Sequence, residues 1–160
     1  MTVNYERLGR QLDALIRNEP DALANSANFV ALLYAEITDI NWLGIYVCRN
    51  DELVLGPFQG LPACVRIPMG QGVCGTAAAN AETLSVDDVH DFSGHIACDP
   101  ASRSELVVPL SSEGRVFAVL DIDSPRVARF TADDQAGVES LCSMFVRSLQ
   151  QAGHSLTEFI

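Results

Sequence analysis

Apolar residues recur at helical spacing in three segments of the chain. The first predicts an amphipathic helix over about residues 4–17, and the second predicts a helix capped by Asp21 that runs to about residue 36. The third predicts a helix over about residues 131–151. It opens with Thr131 and Asp134 in capping-box spacing, with Asp in place of the usual Glu or Gln.

Between these helices the apolar pattern has the two-residue period of strands. One predicted hairpin turns at Asn50–Asp51, and a second turns at a Ser-Ser-Glu-Gly stretch within "ELVVPLSSEGRVFAVLDIDS". A short strand is predicted over 63–67, and a short helix follows it in "GQGVCGTAAAN". Residues 87–104 are rich in Asp, Ser, Gly and Pro and predict a loop. This order predicts an α+β domain on a mostly antiparallel sheet of about six strands.

Size and charge exclude several classes of function. The chain has 160 residues, which suits one domain, and a net charge of −11 with a pI near 4.4. We expect no nucleic acid and no anionic membrane as partner, because both require basic patches. The sequence shows no signal peptide and no apolar run of the length that spans a bilayer, so we expect a cytoplasmic protein.

Two carboxylates lie on one face of the last predicted strand. Alternation places Asp121 and Asp123 on the same side as Phe117 and Val119. Paired carboxylates behind apolar residues are costly unless they meet water or a cation. They therefore indicate either a binding site or a strand that simply emerges into solvent.

An aromatic pair flanks a glycine on an earlier strand. Trp42, Gly44 and Tyr46 share one face, and a glycine inside a strand often marks the close approach of a ligand or of backbone. The pattern predicts an aromatic wall with a gap for a small apolar group. Ordinary core packing of both aromatics is the alternative.

The five cysteines fall into two groups. Cys48 and Cys142 follow strand and helix patterns and are predicted to be small buried hydrophobes. Cys64, Cys74 and Cys98 fall in predicted loops or at a helix N-terminus, where thiols can be accessible and have a lowered pKa. Three such thiols suggest redox chemistry in which one attacks and another resolves. No C-x-x-C pair is present, so neither a disulfide framework nor a zinc site is predicted.

No metal site and no nucleotide site are predicted. His90, His95 and Cys98 lack the spacing of metal ligands on a regular element. The chain also has no P-loop or nucleophile-elbow motif.

Three segments resemble the free methionine-(R)-sulfoxide reductases, which are single-domain enzymes of GAF fold. The resemblance spans nearly the whole chain and is carried by "GPFQGLPACVRIPMGQGVCGTAAA", "DVHDFSGHIACDPASRSELVVPL" and "VLDIDSP" with "RFTADDQ". It implies a single GAF domain over 1–160, with N-terminal helices over about 4–36 and a C-terminal helix over about 131–151. The sheet and active-site loops would occupy about 40–124, and the helices would pack on one face of the sheet.

The resemblance also implies a role for each candidate residue. Cys98 in "HIACD" corresponds to the catalytic cysteine, while Cys64 and Cys74 correspond to the recycling cysteines, with the principal one left open. The substrate carboxylates correspond to Glu105, Asp121 and Asp123. The aromatic wall for the methyl-sulfoxide end of the substrate corresponds to Trp42 and Tyr46.

The implied activity is the reduction of free L-methionine-(R)-sulfoxide to methionine, with thioredoxin as the reductant and no cofactor. The substrate ammonium would balance the carboxylates, one of which would stay protonated and donate to the sulfoxide oxygen. Cys98 would attack the sulfur and become a sulfenic acid that a second thiol converts to a disulfide. The resemblance makes a homodimer plausible, and a non-catalytic GAF sensor of a small molecule or of redox state is the alternative.

Overall fold

In the computed structural model, residues 3–96, 98–154 and 159 are described. Their helices are α1 (Tyr5–Ile16), α2 (Ala22–Glu36), α3 (Gly72–Asn80) and α4 (Ala132–Gln151). Their strands are β1 (Trp42–Arg49), β2 (Glu52–Gln59), β3 (Arg66–Pro68), β4 (Leu84–Val86), β5 (Ser104–Ser112) and β6 (Arg115–Ser124). Within these residues the strands form one sheet in the order β3-β2-β1-β6-β5-β4, and every neighbouring pair is antiparallel.

Side-chain caps start the helices that the pattern predicted. Asp21 accepts a hydrogen bond from the backbone N–H of Ala24 at the start of α2. Thr131 and Asp134 form a reciprocal capping box at the start of α4, so the Asp-containing version predicted from spacing is confirmed. Because these bonds satisfy backbone donors that have no partner within the helix, they stabilise the helix starts.

The terminal helices and α3 pack on opposite faces of the sheet. The main core lies between one face and helices α1, α2 and α4, and it includes Phe29, Leu120 and Phe145. A smaller cluster on the other face packs Tyr46 and Val107 beneath α3. The α+β prediction, with six strands and the N- and C-terminal helices on one face, is confirmed.

Strand β6 departs from its predicted alternation at one residue. Phe117 packs into the helix-side core beside Ala118, whereas strict alternation predicted it on the side of Asp121. The cause is a bulge, since the pairing moves from Leu110–Ala118 to Ser111–Val116 across it. The predicted face is therefore wrong for Phe117. The paired register is continuous from Ala118 onward, so Val119 and Asp121 keep the predicted side.

Candidate active site

A small cavity lies on the α3 side of the sheet. It is enclosed by β1, β5 and β6, by the start of α3, and by the described residues 87–96 and 98–103, which we call the Cys98 loop. Seven of the eight site residues predicted from the sequence line it: Trp42, Tyr46, Cys74, Cys98, Glu105, Asp121 and Asp123. The eighth, Cys64, lies at the edge of the cavity, where it is bonded to Cys98 by a disulfide.

The strand register brings the three carboxylates together. Asp123 on β6 lies between Trp42 on β1 and Glu105 on β5, so these residues form one row across three strands. Asp121 lies two residues back along β6, which places it on the same face as Asp123. Glu105 and Asp121 are each only 6% exposed, so the alternative in which this strand emerges into water is excluded for Asp121.

The aromatic wall has no gap over Gly44. The ring of Trp42 lies there itself, because a Cβ on Gly44 would come within 2.5 Å of its Cη2 atom. Trp42 stacks between Tyr46 and Phe58, at centroid distances of 5.8 and 5.5 Å. The predicted open space beside the glycine is therefore wrong. Gly44 instead lets the indole lie flat against the sheet.

Cys64 and Cys98 are joined by a disulfide. Their Cα atoms are 5.4 Å apart although 34 residues separate them in the chain. The Cys64 segment is anchored to the aromatic wall, since the Tyr46 hydroxyl donates to the Cys64 carbonyl at 2.9 Å. Trp42 Nε1 likewise donates to the Leu61 carbonyl at 3.1 Å. The two rings thus line the cavity and also hold the segment around Cys64 at its edge.

Cys74 is not an accessible thiol. It is 3% exposed beneath the carboxylates, and its Sγ lies 3.8 Å from Oε1 of Glu105. Burial, together with the charges of Asp121 and Glu105, raises the pKa of the Cys74 thiol well above its usual value. The expectation of an accessible thiol with a lowered pKa, drawn from its place near a helix N-terminus, is therefore wrong here.

The same burial changes the protonation of the carboxyl cluster. It raises the pKa of Asp121 to about 6. It also raises the pKa of Glu105 well above the usual range, and the charges of Asp121 and Asp123 add to this shift. The pKa of Asp123 is raised by burial and by the charges of Asp121 and Asp99. At neutral pH the cluster can therefore hold a proton and act as an acid.

Comparisons with known proteins agree with this architecture. A family model described as GAF domain matches residues 15–149. The free methionine-R-sulfoxide reductase of Escherichia coli is 51% identical to the chain, over 91% of the chain and 88% of that protein.

Two solved structures are similar over nearly the whole fold. One is the fRMsr of Staphylococcus aureus in its reduced form, which is 45% identical with a TM-score of 0.90 over 92% of this chain and 96% of that one. The other is the free methionine-R-sulfoxide reductase of Neisseria meningitidis in complex with its substrate. It is 41% identical with a TM-score of 0.89, over 93% of this chain and 90% of that one.

The chain belongs to the free methionine-R-sulfoxide reductase family of GAF-domain proteins. The resemblance noted from the three sequence segments is therefore confirmed. Membership agrees with a cavity that has a cysteine and buried carboxylates in its wall. Within the described part of the chain, no helix combines the length and the apolar character needed to cross a bilayer.

Sequence reasoning missed the residues that support the Cys98 loop of this family member. Asn41 lies just before β1, and its Nδ2 donates to Asp99 at 2.8 Å and to Ser102 at 3.1 Å. Arg103, at the end of the loop, donates its backbone N–H to the Ser124 carbonyl at 2.7 Å. No local spacing could have revealed these bonds, because they join segments that only the sheet register brings together.

One histidine of the rejected metal set also lines the cavity. His95 Nε2 lies 3.9 Å from Oε2 of Glu105, and burial lowers the pKa of this imidazole, as does the nearby His90. His90 itself is exposed, and its ring contacts Asp88 outside the cavity. His95 therefore lies among the residues that line the cavity, and His90 does not.

Proposed function

We propose that the protein reduces free L-methionine-(R)-sulfoxide to methionine in this cavity. The observation that carries the proposal is the position of Cys98, which forms a disulfide at the mouth of a cavity containing Glu105, Asp121 and Asp123. The identity of 51% to an enzyme named for this activity supports it. The substrate complex of the Neisseria meningitidis relative supports the same class of ligand.

The cavity suits the charged end of a free amino acid. Its lining residues include four carboxylates and no arginine, and the chain contains no lysine. An ammonium group would balance this negative charge, and Oδ1 of Asp121 is buried without a hydrogen-bond partner that could compete for it. The methyl-sulfoxide end would then contact Trp42 and Tyr46, which are both almost fully buried.

The chemistry requires a nucleophile and an acid. The Cys98 thiolate attacks the sulfoxide sulfur while a protonated carboxyl of the cluster donates to the sulfoxide oxygen. Oxygen passes from the substrate to the cysteine, so methionine leaves and Cys98 becomes a sulfenic acid. The raised pKa values of Glu105 and Asp123 favour a carboxyl that is still protonated at neutral pH.

Cys64 is the proposed resolving thiol. It attacks the sulfenic acid, water leaves, and the Cys64–Cys98 disulfide forms. The bonded pair in the structure supports this role, whereas Cys74 faces the carboxylates and remains a free thiol. Cys74 thus fits a place in the wall of the cavity better than a place in the redox relay.

The disulfide form corresponds to the end of the catalytic cycle. The free volume inside its cavity is about 30 Å³, which holds a few water molecules and not an amino acid. Substrate binding therefore requires reduction of the disulfide and withdrawal of the Cys98 loop. A loop of this length that carries the nucleophile is suited to such a movement.

Thioredoxin is the proposed reductant, and a cytoplasmic location is the proposed setting. Leu61 and Val65 flank Cys64 with side chains that are 66% and 62% exposed. These two side chains offer an apolar contact to a protein that approaches the disulfide. A thiolate of the reductant would attack one sulfur and form a mixed disulfide, which releases the other cysteine as a thiol. A second thiol of the reductant would then attack the mixed disulfide, so that both cysteines are reduced and the reductant leaves with an internal disulfide. A homodimer remains a prediction.

The decisive experiment is thioredoxin-coupled oxidation of NADPH with free methionine-(R)-sulfoxide. Wild type should turn over continuously, and Cys98→Ser should not. Inactive wild type, or a Cys98→Ser variant of undiminished rate, would overturn the proposal. Binding of the sulfoxide without any turnover would favour the non-catalytic sensor.

A further inference from the structure

Three donor groups, one thiol and two carboxylates, meet beneath α3. The thiol of Cys74, a carboxylate oxygen of Glu105 and one of Asp121 all lie within 4.8 Å of one another, and all three residues are buried. We propose that this cluster in the reduced protein binds one divalent cation of the zinc type. Because the bound ion lies in the wall of the cavity, it prevents the sulfoxide substrate from binding there.

The spacing of the donors suits a tetrahedral ion. Zinc bonds of about 2.3 Å to sulfur and about 2.0 Å to oxygen give a tetrahedral sulfur–oxygen edge of about 3.5 Å. The distance from Cys74 Sγ to Glu105 Oε1 is 3.8 Å. The three residues lie on α3, β5 and β6, so packed secondary structure holds their backbones at this spacing.

A second observation points to a cation at the same place. Oδ1 of Asp121 is buried and has no hydrogen-bond partner, although a buried carboxylate oxygen normally has one. The only basic side chain among the residues lining the cavity is His95. Its Nε2 lies 3.9 Å from Glu105 Oε2 but outside the group of three donors that lie within 4.8 Å of one another, so a water molecule would supply the fourth ligand.

The donor set distinguishes between classes of cation. A thiolate ligand favours zinc-type ions, whereas magnesium and calcium take oxygen ligands alone. Three protein ligands with a fourth position facing a cavity is also the arrangement of open zinc sites. Here the open position points to the space where the sulfoxide is proposed to bind. The ion would therefore act as a reversible inhibitor.

Binding is tested on a variant that holds only the proposed thiol near the cavity. Cys64→Ser combined with Cys98→Ser cannot form the disulfide and removes the two other thiols at the cavity. Titration of this protein with Zn²⁺ against a chromophoric chelator should give one ion per chain. Adding Cys74→Ala should weaken binding roughly 100-fold or more, because it removes the thiolate ligand. Adding Cys48→Ala, which removes a half-buried thiol elsewhere on the same face, should leave binding unchanged.

A spectroscopic measurement shows whether Cys74→Ala weakens binding by removing a metal ligand or by unfolding the protein. Co²⁺ in the double variant should show thiolate-to-cobalt charge-transfer absorption, and the Cys74→Ala form should lose it while its thermal unfolding stays cooperative. Glu105→Gln should weaken binding yet keep this absorption. Unchanged Zn²⁺ binding in the Cys74→Ala form, or no stoichiometric binding in the double variant, would overturn the inference.

The inhibitory role rests on the proposed function, whereas ion binding does not. In wild type kept reduced by a phosphine, since a dithiol would itself bind the ion, free Zn²⁺ should raise the KM for the sulfoxide without lowering kcat, and chelation should reverse the effect. Normal turnover without Zn²⁺ binding refutes the metal site alone. Zn²⁺ binding to a protein without reductase activity refutes the reductase proposal alone.

Discussion

Glu105 and Asp123 lie directly opposite each other on β5 and β6, within one antiparallel register. Two carboxylates in this position repel each other and lower the stability of a sheet when both are ionised. Burial, together with the charge of neighbouring carboxylates, raises the pKa of both groups. The cavity thus keeps protons that a surface carboxylate would release, and this costs the fold stability at neutral pH.

Stability of the reduced protein should fall as pH rises from about 4 to above 6. A carboxyl whose pKa is raised in the folded state binds more protons there than in the unfolded state, so stability decreases across that window. The pKa of Asp121 is about 6 in the folded protein. Asp121→Asn should therefore increase the free energy of unfolding at pH 7.5 by roughly 1–3 kcal/mol and change it little at pH 4.

Urea unfolding in excess dithiol at several pH values measures this effect. Asp51→Asn, which changes an exposed carboxylate in the turn between β1 and β2, is the matched control and should leave the profile unchanged. Stability that rises with pH across the window, or an Asp121→Asn variant that is less stable at every pH, would contradict the prediction.

Single-turnover experiments should distinguish the roles of Cys64 and Cys74. Cys64→Ser should release one methionine per enzyme and then stop with thioredoxin, because Cys98 remains a sulfenic acid that no thiol of the chain resolves. Cys74→Ser should sustain turnover within about threefold of wild type, since serine keeps a donor beside Glu105. Quantifying methionine by rapid quench and trapping sulfenic acid with dimedone would check both. Continuous turnover by Cys64→Ser, with Cys74→Ser arrested, would reverse the assignment.

The apolar side chains beside Cys64 should matter only when the reductant is a protein. Leu61→Ser with Val65→Ser should raise the KM for thioredoxin roughly tenfold, because about 1–2 kcal/mol of apolar contact is lost. Turnover supported by dithiothreitol should not change. Leu23→Ser is the control, because it makes the same type of substitution at a 56% exposed leucine on α2. Equal losses with both reductants would mean that the substitutions disturb the disulfide and not its docking surface.

The features that could be predicted from the sequence are those that depend on residues close together in the chain. Helix caps and hairpins depend on residues close in the chain, so Asp21, Thr131 and Asp134 could be read directly. The shared face of Asp121 and Asp123 depends only on the two-residue period of a strand and was also predictable.

Features that depend on a side-chain rotamer or on contacts between distant segments were not predictable. The filling of the space over Gly44 depends on the rotamer of Trp42, and strand alternation carries no information about it. The burial of Cys74 depends on how α3 packs against β5 and β6. The choice of Cys64 as the partner of Cys98 depends on the path of two loops. A motif match could name both candidate thiols and could not choose between them.

The carboxylate cluster should make the enzyme specific for a free amino group. N-acetylmethionine sulfoxide has no ammonium to balance Asp121, and its amide cannot replace a charge-assisted hydrogen bond. Such bonds contribute about 1.5–3 kcal/mol, so kcat/KM should be roughly 10- to 150-fold lower than for the free sulfoxide.

A double comparison of substrate and variant isolates that interaction. Asp121→Asn should lower kcat/KM for the free sulfoxide by a similar factor and change kcat/KM for the N-acetyl compound little, because the charge pair is already absent there. A purely structural effect of the substitution would lower both values equally. Asp51→Asn should change neither. If wild type reduced both substrates at equal rates, the carboxylates would not be holding the amino group, and the lone oxygen of Asp121 would need another partner.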